Sequence, residues 1–175
     1  MPTSVATTTT LATTTTGAKA GTRDNPLPIG GALQGSQWSF VVVGFETGEA
    51  VNTMAASRST NEKLLPGRTW VRVRYRATFN GGDNEGSPTR INMNIADPSN
   101  VTYKEGWVCC EEHDKLSSQG DTFVGGVVEG WVYYQVPEDV AGGPFIAFDS
   151  KAPAAGFLAV GLRIAAVATA PSRRR

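Results

Sequence analysis

The sequence predicts an antiparallel two-sheet β-sandwich behind a Thr-rich stalk, and three observations predict it. Residues 69–79 alternate: Val71, Val73, Tyr75, Ala77 and Phe79 share one face of a strand, and Arg72, Arg74, Arg76 and Thr78 share the other. Further short runs rich in β-branched and aromatic residues are divided by clusters of Gly, Pro, Asn and Asp. No stretch carries a convincing amphipathic helical period, so packed layers of sheet are the expected architecture.

Residues 1–22 form the stalk. Nine of the first sixteen residues are Thr, in two TTTT runs broken by Leu11 and Ala12. Without apolar alternation such a segment buries nothing and cannot offset the entropy of ordering. The domain is expected at residues 23–164, with a flexible basic tail at 165–175. Pro26 and Pro28 favour an extended lead-in. Residues 37–45 (QWSFVVVGF) read as a strand, and residues 50–65 as a long loop or a short helical turn. After the 69–79 strand, residues 80–88 (NGGDNEGSP) are dense in turn formers. Ile91, Met93 and Ile95 alternate with Asn92 and Asn94 in the next strand, DPSN at 97–100 turns the chain, and residues 101–108 supply another strand. The acidic run Glu111, Glu112, His113 and Asp114 reads as loop. Residues 127–136 form a long strand stopped by Pro137, and residues 144–148 and 156–162 the last two. The expected inner face comprises Val71, Val73, Tyr75, Phe79, Ile91, Met93, Ile95, Val132 and Tyr134. Trp38 is expected in the core. Trp70 and Trp131 fall in phase with the polar faces of their strands and are expected to be partly exposed.

Sixteen basic and sixteen acidic residues give a formal net charge of zero, which argues against a nucleic-acid protein held mainly by charge. Between residues 23 and 162 there are 11 basic and 16 acidic residues, so the domain is acidic and the chain ends restore neutrality. No membrane span is expected. The stretch 152–171 before Arg173, Arg174 and Arg175 has the outline of a tail anchor, but Arg163 near its middle would cost about 2.5–3.5 kcal/mol on insertion.

Chemistry-bearing residues are few. Cys109, Cys110 and His113 make a Cys-Cys-x-x-His run, yet adjacent cysteines rarely both reach one zinc ion, and an exposed loop is the plainer reading. With two adjacent cysteines no bridge can join distant segments. They stay free, form a vicinal disulfide or cross-link two chains. Asp83, Asn84 and Glu85 lack the calcium-loop spacing and read as a turn. No catalytic set, metal or cofactor is expected.

One strip stands out. Arg72, Arg74 and Arg76 project from the same side of a strand at intervals of about 6.5–7 Å. The plainer reading is a solvated face answered by cross-strand acids such as Glu129. The sharper one is a shallow anion-binding strip flanked by Trp70, for an acidic envelope polymer or an acidic protein partner, since a guanidinium fork grips carboxylate or phosphate bidentately.

Several motifs occur in one order: GTRDNPLPIG at 21–30, the strand containing Trp38, LPGR at 65–68 leading into WVRVRYRATFNG, GSP at 86–88 and GWVYYQVP at 130–137. Over about residues 21–162 this order resembles an uncharacterised family of immunoglobulin-like domains in exported actinobacterial proteins and lipoproteins. That family is related in fold to the secreted mycobacterial immunoprotective antigen. The resemblance implies an immunoglobulin-like sandwich, a location outside the membrane and no established catalytic activity. Family members often pair a mid-chain cysteine with one in the strand before the Val-Pro. Here that strand carries Tyr133 and Tyr134, so the bridge is not available.

The expected function is a non-enzymatic exported or cell-surface module for binding or structure, held away from its anchor by the stalk. The alternative is a virion or assembly decoration protein on the same sandwich. No basic and apolar leader precedes the stalk, so an export signal is expected upstream of Met1 if the protein is exported.

Overall fold

The alternation of residues 69–79 becomes the longest strand among the described residues. In the computed structural model, which describes residues 19–108, 114–151 and 156–161, the elements run β1 (Ala32–Gln34), β2 (Trp38–Thr47), α1 (Glu49–Ala56), β3 (Arg68–Phe79), β4 (Met93–Ala96), β5 (Thr102–Tyr103), β6 (Val127–Pro137), β7 (Phe145–Asp149) and β8 (Leu158–Val160). Single 3₁₀ turns occupy Pro88–Arg90, Leu116–Ser118 and Glu138–Val140.

All strand pairings are antiparallel, in two sheets ordered β1-β2-β3-β6 and β5-β4-β7-β8. The chain crosses between the sheets from β3 to β4, back from β5 to β6, and again from β6 to β7. As a result β3 lies beside β6 in one sheet while β4 lies beside β7 in the other. Immunoglobulin domains place strands B and E, and C and F, in that same interlock. The fold is therefore an immunoglobulin-like sandwich, with β1 as an additional edge strand.

Every residue expected on the inner face is buried, together with Trp38, Leu33, Phe40, Phe145, Leu158 and Val160. The Tyr134 hydroxyl donates to the Met93 carbonyl across the sandwich at 3.1 Å and lies 3.2 Å from the Tyr75 hydroxyl. In the strand where the resemblance would place a cysteine, a hydrogen bond thus joins the two sheets. Burial pushes both phenols above the ordinary tyrosine pKa.

One strand expectation is corrected. Residues 101–108 are not one strand. Only Thr102 and Tyr103 pair with β4, after which the chain leaves that sheet to reach the edge of β6. Of the two readings of residues 50–65, the helical one applies at their start: α1 runs two turns and buries Val51 and Ala55. Two turns present too few apolar positions for a period to show in the sequence.

Both long edges are covered. Along β6, Gly106 donates to the Tyr133 carbonyl (2.8 Å) and Trp131 donates to the Asp114 carbonyl (2.6 Å). Along β8, Leu27 donates to Phe157 (2.9 Å) and Ala159 donates to Leu27 (2.7 Å). No helix among the described residues is long and apolar enough to cross a membrane. The Thr runs, Cys109, Cys110, Glu111, Glu112, His113, Arg163 and the basic tail lie outside the described residues.

Candidate functional site

The arginine strip occupies the outer face of β3, and a bulge in β2 decides what meets it. Up to Val42 the even-numbered residues of β2 face the core. The register then shifts between Val42 and Gly44, so Phe45 pairs with Val73 and Glu46 with Arg72. The extra residue turns Phe45 inward toward Phe145 and turns Glu46 outward. Without it, Glu46 would face the core.

Arg72 uses that carboxylate. Its Nε and Nη2 donate to Glu46 Oε2 at 2.8 and 2.6 Å, and its Nη1 donates to the Tyr133 hydroxyl at 3.2 Å and meets Met54 Sδ at 2.9 Å. The guanidinium lies 4.2 Å from the Trp131 ring centroid. Burial disfavours its charge, but the bonds to Tyr133 and Glu46 outweigh that, and the pKa lies above the usual guanidinium value. Arg74 and Arg76 share one acid: their Nε atoms lie 2.9 and 2.8 Å from Glu129 Oε1 and Oε2. Side-chain exposure rises along the row, from 14% at Arg72 to 53% at Arg76. Three cations therefore meet two carboxylates, and Glu129 is the cross-strand acid expected.

Trp70 does not flank the strip as an exposed ring. It is 1% exposed, and Trp131 is 7% exposed. Both belong to a second apolar cluster with Val51, Ala55, Val108 and Tyr133, formed where α1 and residues 106–108 lie on the outer face of the sheet. Asn52 of α1 fastens this cover: its Oδ1 accepts from the Trp70 amide (2.8 Å) and from the Thr69 hydroxyl (3.0 Å). A Cβ on Gly106 would come within 2.5 Å of the Trp70 ring, so the covering chain can lie this close only as glycine. Period-2 reasoning places Trp70 and Trp131 on the outer face correctly. It has no means of showing that a helix distant from that face in sequence lies over it.

The turn formers read at 83–85 also have structural partners. The Asp83 carboxylate pairs with Arg90 (3.2 Å) and accepts from Gln37 (3.3 Å).

A different site emerges where β5 stops short. Beyond Ile95 the outer edge of β4 has no strand beside it toward Met93, and residues 104–108 cross the gap to β6. A cleft of about 840 Å³ opens there, within the size range of small-molecule sites. Its floor is Asn92, Met93 and Asn94, and its walls carry Lys104, Trp107, Ser117 and Ser118. Trp107 is 61% exposed, in contrast to the other three tryptophans. Lys115 also lines it: its ammonium bonds to Glu105 at 3.0 Å and stands 5.1 Å from the Trp107 ring centroid. Trp107 follows Gly106, outside any alternating run, so nothing in the sequence marks it as the exposed indole.

No protein-family model matches the chain, and no curated protein does. Solved structures are similar at low identity. A secreted protein from Mycobacterium tuberculosis, MPT63, aligns at 13% identity and TM-score 0.48, over 76% of this chain and 94% of its own. A conserved hypothetical protein from Bacillus anthracis aligns at 10% and 0.45, over 70% and 88%. An uncharacterized β-sandwich protein from Clostridium difficile aligns at 8% and 0.43, over 69% and 85%.

Proposed function

We propose that the chain is a non-enzymatic, extracytoplasmic binding module whose ligand site is the Trp107 cleft. The observation that carries this reading is the exposed indole lining a cleft of mixed polar and apolar character, in a domain whose other tryptophans are buried. A large ring held open to solvent costs apolar hydration that a bound ligand removes. The arginine strip supports the reading by contrast, because its cations are already engaged by Glu46 and Glu129. General acid–base work needs groups poised to exchange a proton with substrate. The one carboxylate lining the cleft among the described residues, Glu105, is held by Lys115, which favours binding over turnover. The extracytoplasmic location is carried by the Thr-rich stalk and by the motif order of residues 21–137.

Cosedimentation with insoluble actinobacterial envelope fragments tests it. The wild type should pellet, Trp107→Ala should lower the bound fraction at least fivefold, and the Arg74→Gln, Arg76→Gln double variant should pellet as the wild type does. Equal pelleting of Trp107→Ala, or a wild type that stays in solution, overturns the proposal. Loss confined to the double arginine variant transfers the function to the strip.

A further inference from the structure

The cleft has a chemical character of its own, and we infer that it takes a saccharide bearing a carboxylate, stacked on Trp107 with its acid group directed to Lys104. This inference rests on the Trp107 cleft being the binding site.

Three features of the lining lead to it. The first is the flat, 61% exposed indole of Trp107. An aromatic face matches the apolar C–H face of a pyranose ring, while the sugar's hydroxyls point sideways to polar groups. The second is the kind of polar groups around it. Asn94, Ser117 and Ser118 line the cleft with amide and hydroxyl ends that both donate and accept, as a ring of hydroxyls requires. A sugar's hydroxyls give these groups partners on binding that an apolar peptide side chain does not. The third is charge. Lys115 and Glu105 neutralise each other at 3.0 Å, whereas Lys104 lines the same cleft without an ion-pair partner among the described residues. Among the described residues the cleft therefore presents one cation without an ion-pair partner together with an aromatic platform. One carboxylate on the ligand satisfies it, and the interaction is a charge-assisted one of N⁺–H···O⁻ type. The outer arginines look like the natural place for an acidic polymer, but each already lies in an ion pair with Glu46 or Glu129 and no exposed ring among the described residues stands beside them.

Isothermal titration of the full chain with trigalacturonate and with its neutral counterpart, a galactose trimer, tests this, with acrylamide quenching of Trp107 fluorescence read in parallel. The acidic trimer should bind at least tenfold more tightly than the neutral one and should shield Trp107 from quenching. Lys104→Gln should remove that preference without weakening the neutral trimer, and Trp107→Ala should abolish both. Equal affinities, with no effect of Lys104→Gln, overturn the carboxylate assignment. If neither trimer binds while envelope pelleting still depends on Trp107, the saccharide inference fails and the binding-module reading stands. If neither trimer binds and nothing pellets, both fail. Far-ultraviolet circular dichroism of each variant confirms that the sandwich is intact.

Discussion

On its inner face β3 lays Val71, Val73, Tyr75, Ala77 and Phe79 against the second sheet, all fully excluded from water. On its outer face the same strand runs from Trp70, sealed under α1, through the half-covered Arg72 to the solvated Arg76. The inner face is uniform because one sheet covers its whole length. The outer face is graded because the helix has only eight residues and covers one end. Burial on the inner face follows from the alternation of the strand itself. On the outer face it follows from what happens to lie on top.

Substitutions at the two faces sharpen this contrast. The largest effect is expected for Val73→Asp, which places an unpaired carboxylate in the sandwich core. A loss of at least about 4 kcal/mol should leave the domain unfolded by circular dichroism. A folded variant would show that the inner face is looser than its burial indicates. Trp70→Ala should cost about 3–5 kcal/mol, as in any large-to-small change in a core, and a urea midpoint close to that of Arg76→Gln would show the second cluster to be energetically empty.

The buried phenols add a test of the inner face by pH. Tyr75 and Tyr134 have folded pKa values raised above the unfolded value of about 10, chiefly by burial. Above pH 10 the unfolded chain therefore holds fewer protons than the folded one, so stability falls as pH rises. The contribution is fully present below pH 10. Beyond it the loss should approach about 1.4 kcal/mol per pH unit for each phenol still protonated. Urea midpoints measured from pH 9 to 11.5 should be flat at first and then decline. A flat profile throughout would mean the two hydroxyls reach water.

Smaller effects belong to the outer face. Asn52→Ala removes the acceptor for the Trp70 amide and should cost about 1–2 kcal/mol, with faster hydrogen exchange confined to α1 and the start of β3. Smallest is the paired comparison along the strip. Arg72→Gln should cost about 1–2 kcal/mol through its buried partners, and Arg76→Gln less than about 0.5 kcal/mol, as for an exposed ion pair. Equal costs would abolish the gradient.

Much of the sandwich was legible in the chain. The 69–79 and 127–136 strands stand as β3 and β6 to within a residue at either end, because a long period-2 run permits only one partition of its side chains between core and outer face. Glu129 as the answer to the arginines was legible too, since the register of two long antiparallel strands sets it opposite Arg76. The bulge at Val43 was not, because a single inserted residue leaves no mark in composition.

What the sequence by itself determined is the class of architecture, the membership of the inner face and the row of arginines. All are local consequences of backbone period and side-chain polarity. The tertiary structure alone decided that α1 covers Trp70, that Glu46 turns outward to Arg72 and that Trp107 stands open at a cleft. Each of these depends on segments far apart in the chain meeting at one place. Period and propensity describe a residue's neighbours along the backbone and carry no information about what arrives from elsewhere to cover it.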